Sequence, residues 1–134
     1  MNPNHAALAY KNESIENAPP LKIVRLLYQA ALRHIDTASR CDANKPDSPF
    51  IDALCRADAI VCELRLALET EHAPEVAAHL EQLYLFVEDA LQRCMRERTN
   101  AGLDSARNVL STLLEAWTKI ELDAKSGATR TGAA

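Results

Sequence analysis

Apolar residues recur at three- and four-residue steps along most of the chain, the period that places them on one face of an α-helix. From Leu21 to about Cys41 the stripe is Ile23, Leu27, Ala30, Ala31, Ile35 and Ala38. Pro19-Pro20 precedes it, and Pro suits a first helical turn, where its missing N–H has no intrahelical partner. The polar cluster Asp42 to Ser48 reads as a connection, with Ser48 predicted as the N-cap and Pro49 as the first residue of a second helix. That helix carries Leu54, Ala57, Val61, Leu64 and Leu68. Thr70 to Ala73 interrupts the pattern, and Pro74 opens a third helix with Val76, Leu80, Leu83, Val87, Ala90 and Cys94, widened by Tyr84 and Leu91. Thr99, Asn100 and Gly102 end it, and a fourth stripe follows with Leu103, Ala106, Leu110, Leu113, Trp117 and Ile120.

Four helices of about 20 residues joined by short connections bury their stripes most simply as an all-α, antiparallel up-down four-helix bundle. The pattern assigns residues 19–124 to this bundle. Residues 1–18 hold Tyr10 and Ile15 among polar positions and form an N-terminal arm or short helix, while 125–134 has no apolar period and is expected to be a disordered tail. The first helix is apolar round more than the roughly 100° a bundle needs, because Leu21, Val24, Leu26, Tyr28 and Leu32 add to its stripe. Part of it therefore faces something besides the core, either the arm or an external helix laid in a groove.

Composition narrows the functional classes. At 134 residues the chain builds one core, and its net charge of -4 offers no basic surface for a nucleic-acid backbone. No apolar run approaches the roughly 20 residues a membrane-spanning helix needs, and Met1 to Ala9 does not read as a secretory signal, so a cytosolic location without membrane insertion is expected. Three glycines are too few for a Gly-turned sandwich or a Gly-rich phosphate loop. Cys41, Cys55, Cys62 and Cys94 include no CxxC pair and read as reduced and mostly packed. Within one helix Cys55 and Cys62 stand about 10.5 Å apart, beyond disulfide reach.

Catalytic chemistry finds little footing. A di-iron bundle needs two Glu-x-x-His motifs and two further inward glutamates, whereas only Glu69 to His72 matches, with Glu75 and His79 adding a single four-residue pair. His5 and His34 have no ligand-spaced companions. Continuous helices commit their backbone N–H groups, and no helix start pairs a Gly-rich turn with a Ser or Cys nucleophile. Arg93, Arg96 and Arg98 read as a solvated helix end that complements the helix dipole. The expectation is a protein that is not an enzyme and has no metal site and no cofactor.

Tyr10, Ile15, Ala18, Pro20-Leu21 and Leu26-Leu27-Tyr28 resemble the opening signature of the FliS family, bacterial flagellar export chaperones that bind flagellin. Glu63-Leu64, Leu68, Glu75-Val76-Ala77, Leu80, Leu83-Tyr84 and Ala116-Trp117 continue the resemblance in order, so that it covers residues 9 to about 120. The sequence departs from the family pattern at Pro19, where a capping Ser or Thr is usual, at Ala73-Pro74, and at Gln29 after Leu27-Tyr28.

The resemblance implies a cytosolic helical chaperone that holds the disordered C-terminal segment of flagellin, prevents premature polymerisation and delivers it to the flagellar type III export apparatus. Coupled folding of such a segment buries about 1,000–3,000 Å² and spends several kcal/mol on ordering, which makes a complex specific yet releasable. Carried over residue by residue, it implies Tyr10 and Ile15 on an arm covering an apolar groove, and Leu21, Val24 and Tyr28 beside it. Leu64, Leu68, Leu80 and Tyr84 join this client-binding set, although core packing explains them equally, and Trp117 is assigned to the core. The alternative is a helical adaptor or regulator for a different export client. A monomer or weak homodimer fits either reading.

Overall fold

A computed structural model describes Pro3, residues 21–71 and residues 73–133, with side chains up to Ser126. The arm, including Tyr10 and Ile15, lies outside the described residues. Among residues 21–133 four helices follow in order: α1 Leu21–Ser39, α2 Phe50–Leu66, α3 Pro74–Glu97 and α4 Leu103–Ala133. α1 packs on α2 and α4, and α3 packs on the same two, so that α1 and α3 face each other across a diagonal.

Cross-helix pairs fix the directions. Cys55 meets Met95, Asp58 meets Gln92 and Arg65 meets Glu88, so residue numbers rise along α2 as they fall along α3. Arg25 with Glu121 and Asp36 with Arg107 give the same antiparallel relation for α1 and α4. This is the up-down four-helix bundle that the periodicity predicts.

The core is the sum of the four stripes. Val24, Tyr28, Ala31, Ile35 and Ala38 form the buried face of α1. Leu54, Val61, Leu80, Val87, Leu91, Leu110 and Leu113 are fully buried in the facing helices. Burial of a Leu, Val or Ile side chain contributes about 1.5–3 kcal/mol, and in aggregate this is what orders the bundle.

α2 stops at Leu66, short of the expected Leu68, and the helix ends differ from expectation at two further places. Ser48 is not the N-cap of α2; Pro49 occupies that position without a side-chain cap. The Ser48 hydroxyl instead donates to the Asp42 carbonyl at 2.9 Å, closing the 42–48 connection, and accepts from the Phe50 N–H at 3.4 Å. The second difference is at the C-terminal end, where α4 runs on to Ala133 rather than stopping near Lys125. No proline interrupts that segment, and each added residue contributes one backbone hydrogen bond to an existing helix. At the α3 start the expectation holds, with Pro74 in the first turn. Arg98 closes α3 in the left-handed conformation at φ 50°, and Gly102 precedes α4 at φ 99°. The latter is a backbone region that only glycine adopts without strain.

All four cysteines are free: Cys94 is buried, Cys41 and Cys62 are half-buried, and Cys55 is exposed. No helix of the described residues is long and apolar enough to cross a membrane.

Candidate binding surface

The structure divides the residues singled out from the sequence into two groups. Val24, Tyr28, Leu64, Leu80 and Tyr84 are buried, and Leu21 and Leu68 are half-buried against the core. Helical spacing explains this for all but Leu68, which lies just beyond the end of α2 and packs against the core from there. Trp117, assigned to the core, is buried there.

Tyr28, Tyr84 and Trp117 form a polar knot inside the bundle. The indole N–H of Trp117 donates to the Tyr28 hydroxyl at 3.2 Å, and the Tyr28 and Tyr84 hydroxyls share a hydrogen bond of 2.5 Å. Burial, reinforced by the neighbouring Tyr84, pushes the Tyr28 phenol well above its ordinary pKa. Tyr28 is therefore a neutral hydrogen-bonding group tying α1, α3 and α4 together.

The large apolar side chains left in solvent are different ones. Among the described residues they are Ile23, Leu26, Leu66, Leu85, Phe86 and Leu122, between 44% and 73% exposed. Antiparallel packing gathers them on one half of the bundle, because the start of α1, the end of α2 and the later part of α4 lie together there. The Arg65 to Glu88 pairing places Leu85 and Phe86 at the level of the α2 end. The opposite end, built from the 40–49 and 98–102 connections, has no large exposed apolar residue among those described. Because α1 and α3 stand on a diagonal, Ile23 and Leu26 lie on a different side of this half from Leu85 and Phe86; clusters of large exposed apolar side chains mark places where another chain packs. The periodicity places Ile23 on the inward stripe and counts Val24, Leu26 and Tyr28 as surplus; the buried face is instead Val24, Tyr28, Ala31, Ile35 and Ala38, which leaves Ile23 in solvent beside Leu26.

Two ion pairs brace this half. Arg25 donates to Glu121 from Nε at 2.6 Å and from Nη2 at 3.4 Å, and Arg65 reaches Glu88 in the same way at 2.6 and 3.2 Å. The Arg25 hydrogen bond holds the Glu121 carboxyl below the ordinary glutamate value of 4.5, against the opposing effect of desolvation. Between α1 and α4 lies an open groove of about 310 Å³, lined by Arg25, Gln29, Thr118, Glu121, Leu122 and Lys125. Asp58, partly buried beside Gln92, has its pKa raised by desolvation. Among the described residues, no three His, Cys, Asp or Glu side chains come together as a metal site, and Glu69, Glu75 and His79 form no such group.

Fold and surface together define an all-α four-helix bundle whose uncovered apolar side chains are concentrated on one half. The family model described as "Flagellar protein FliS" matches residues 2–124, and this chain belongs to the FliS family. It is 29% identical over 120 residues to the "Flagellar secretion chaperone FliS" of Campylobacter jejuni subsp. jejuni serotype O:6, covering 90% of this chain and 94% of that protein. It is 27% identical over 118 residues to the protein of the same description from Vibrio cholerae serotype O1, covering 84% and 85%.

Proposed function

We propose that this chain is a cytosolic flagellar secretion chaperone that binds the disordered C-terminal segment of flagellin, keeps it from polymerising and delivers it to the flagellar export apparatus. The observation that carries this reading is the set of exposed apolar side chains on one half of the bundle, in a member of a family whose relatives are described as secretion chaperones. A helix-forming segment with an apolar face otherwise seeks copies of itself. Ile23, Leu26, Leu66, Leu85, Phe86 and Leu122 offer that face a substitute partner. Val24, Tyr28, Leu64, Leu80 and Tyr84 support this surface from within, Leu21 and Leu68 stand at its margin, and Tyr10 and Ile15 belong to an arm that competes for it. The work is binding and release, with no bond made or broken and no cofactor required, and a monomer or weak homodimer suffices.

Calorimetric titration with the C-terminal segment of the host's flagellin, together with circular dichroism of the mixture, tests the proposal. Saturable one-to-one binding with a gain in helicity is expected. A folded bundle that fails to bind that segment overturns the flagellin reading in favour of an adaptor or regulator for a different client.

A further inference from the structure

Seven carboxylates fall between Glu63 and Asp89 against a single arginine, a net charge of -6 on this stretch where the whole chain carries -4. The acidity of the protein is therefore local, and the remainder is slightly basic. Glu63, Glu71, Glu75, Glu81 and Asp89 are all exposed. The one arginine, Arg65, is engaged by Glu88 through two hydrogen bonds at 2.6 and 3.2 Å, leaving it little capacity to offset the others.

The same corner carries exposed apolar side chains. The Arg65 to Glu88 and Asp58 to Gln92 pairs set the α2–α3 register, which brings Leu66, the last residue of α2, level with Leu85 and Phe86. Glu81, Leu85 and Glu88 follow one another at helical spacing along the α2 side of α3. Leu66, Leu85 and Phe86 are 73%, 44% and 46% exposed in this acidic setting. Their uncovered area calls for an apolar stripe, and the surrounding charge selects what flanks it.

We infer that the α2–α3 corner docks a cationic amphipathic helix, a segment whose apolar stripe covers Leu66, Leu85 and Phe86 while flanking Lys or Arg side chains face Glu75 and Glu81. Helix-in-groove recognition supplies the contact area, and charge complementarity supplies partner choice and faster encounter. The sign of the field opposes anionic lipid and nucleic acid. The inference rests on the proposal that this half of the bundle receives a client helix, and adds the charge that such a helix carries.

The test uses the full chain and two synthetic helical probes of about 18 residues, long enough for five turns, with identical leucine stripes and either Lys or Glu flanks. Each is titrated at low and high salt into the wild type and into a Glu75→Gln/Glu81→Gln variant whose melting is checked first. The Lys probe is expected to bind saturably, roughly tenfold or more tighter than the Glu probe at low salt, and the variant is expected to lose most of that preference. Amide shifts at Leu66, Leu85 and Phe86 locate the contact. Equal binding of the two probes, or a Lys-probe affinity that the variant does not change, overturns the inference. So does wild-type self-association abolished by the variant with no probe bound, which assigns the corner to a second copy whose α1 presents Lys22, Ile23, Leu26 and Arg33. The flagellin segment is titrated in parallel: its binding without probe discrimination leaves the proposed function standing and removes this inference, and probe discrimination without flagellin binding does the reverse.

Discussion

Tyr28 of α1 and Tyr84 of α3 meet hydroxyl to hydroxyl at 2.5 Å across the diagonal of the bundle, joining two helices that do not otherwise pack as neighbours. Because Trp117 on α4 donates to the same Tyr28 oxygen, one phenol coordinates three helices. Removing it takes two hydrogen bonds out of the core, each contributing about 0.5–1.5 kcal/mol net, or about 1–3 kcal/mol together. Tyr28→Phe is expected to lower unfolding stability by that amount in urea titrations. A double-mutant cycle with Tyr84→Phe is expected to show coupling of about 0.5 kcal/mol or more, and strictly additive losses would show that the hydroxyls act independently.

Arg25 and Glu121 make acid sensitivity local. The Glu121 pKa is lowered in the folded protein, chiefly by the Arg25 hydrogen bond. A folded-state carboxyl below its unfolded value contributes stability that is present above the unfolded pKa and disappears as pH falls through the folded one. The contribution is thus complete at neutral pH and is lost below about 4.5, the ordinary glutamate value. Urea midpoints measured from neutral pH into the acid range are expected to fall less for Glu121→Gln than for the wild type across this window. Parallel curves would remove Glu121 as a contributor.

Leu113 is fully buried on α4. Leu113→Ala is expected to lower stability by about 2–5 kcal/mol, combining lost transfer energy with the cavity left behind. Thermal or urea unfolding reads this directly, and a change near zero would contradict the helical register that faces Leu113 inward.

Arg98 closes α3 with φ at 50°, a left-handed position that glycine ordinarily fills. A side chain there costs about 1–2 kcal/mol, partly offset by the smaller conformational freedom of the unfolded chain relative to glycine. Arg98→Gly is expected to raise stability by up to about 1 kcal/mol in urea titrations. Destabilisation instead would show that the Arg98 side chain has a stabilising role outweighing its backbone strain.

The architecture was legible because one signal, the three-four step, determined both helix identity and the buried face. Leu54, Val61, Leu80, Val87, Leu110 and Leu113 lie inside as that step requires. The surface was harder to read. A family signature shared by core and binding positions selects Tyr28, Leu80 and Tyr84 without saying on which side of the helix wall they stand, and they stand inside. Leu26 was visible only as part of an apolar excess on α1, Ile23 was read as an inward position, and the exposure of both depends on how far α2 and α4 wrap around that helix. The common level of Leu66 and Leu85 was beyond reach of any local pattern, since it depends on the Arg65 to Glu88 register between separate helices. The end of α2 at Leu66 and the cap at Pro49 likewise reflect loop hydrogen bonds that periodicity does not encode.

Ile23 and Leu26 separate binding from stability most cleanly. They are half exposed, at 50% and 46%, on a helix whose buried face is supplied by Val24, Tyr28, Ala31, Ile35 and Ala38. Replacing both with serine leaves that face intact, so the unfolding free energy is expected to shift by no more than about 1 kcal/mol, as for surface substitutions elsewhere. If these side chains form part of the client surface, the same double variant removes two apolar anchors from it, and affinity for the flagellin segment is expected to fall by about tenfold or more. Calorimetry and urea unfolding on the same preparations provide the comparison. Unchanged affinity with unchanged stability would move the client contact off α1, whereas equal losses in both would mean that Ile23 and Leu26 hold the bundle together rather than its client.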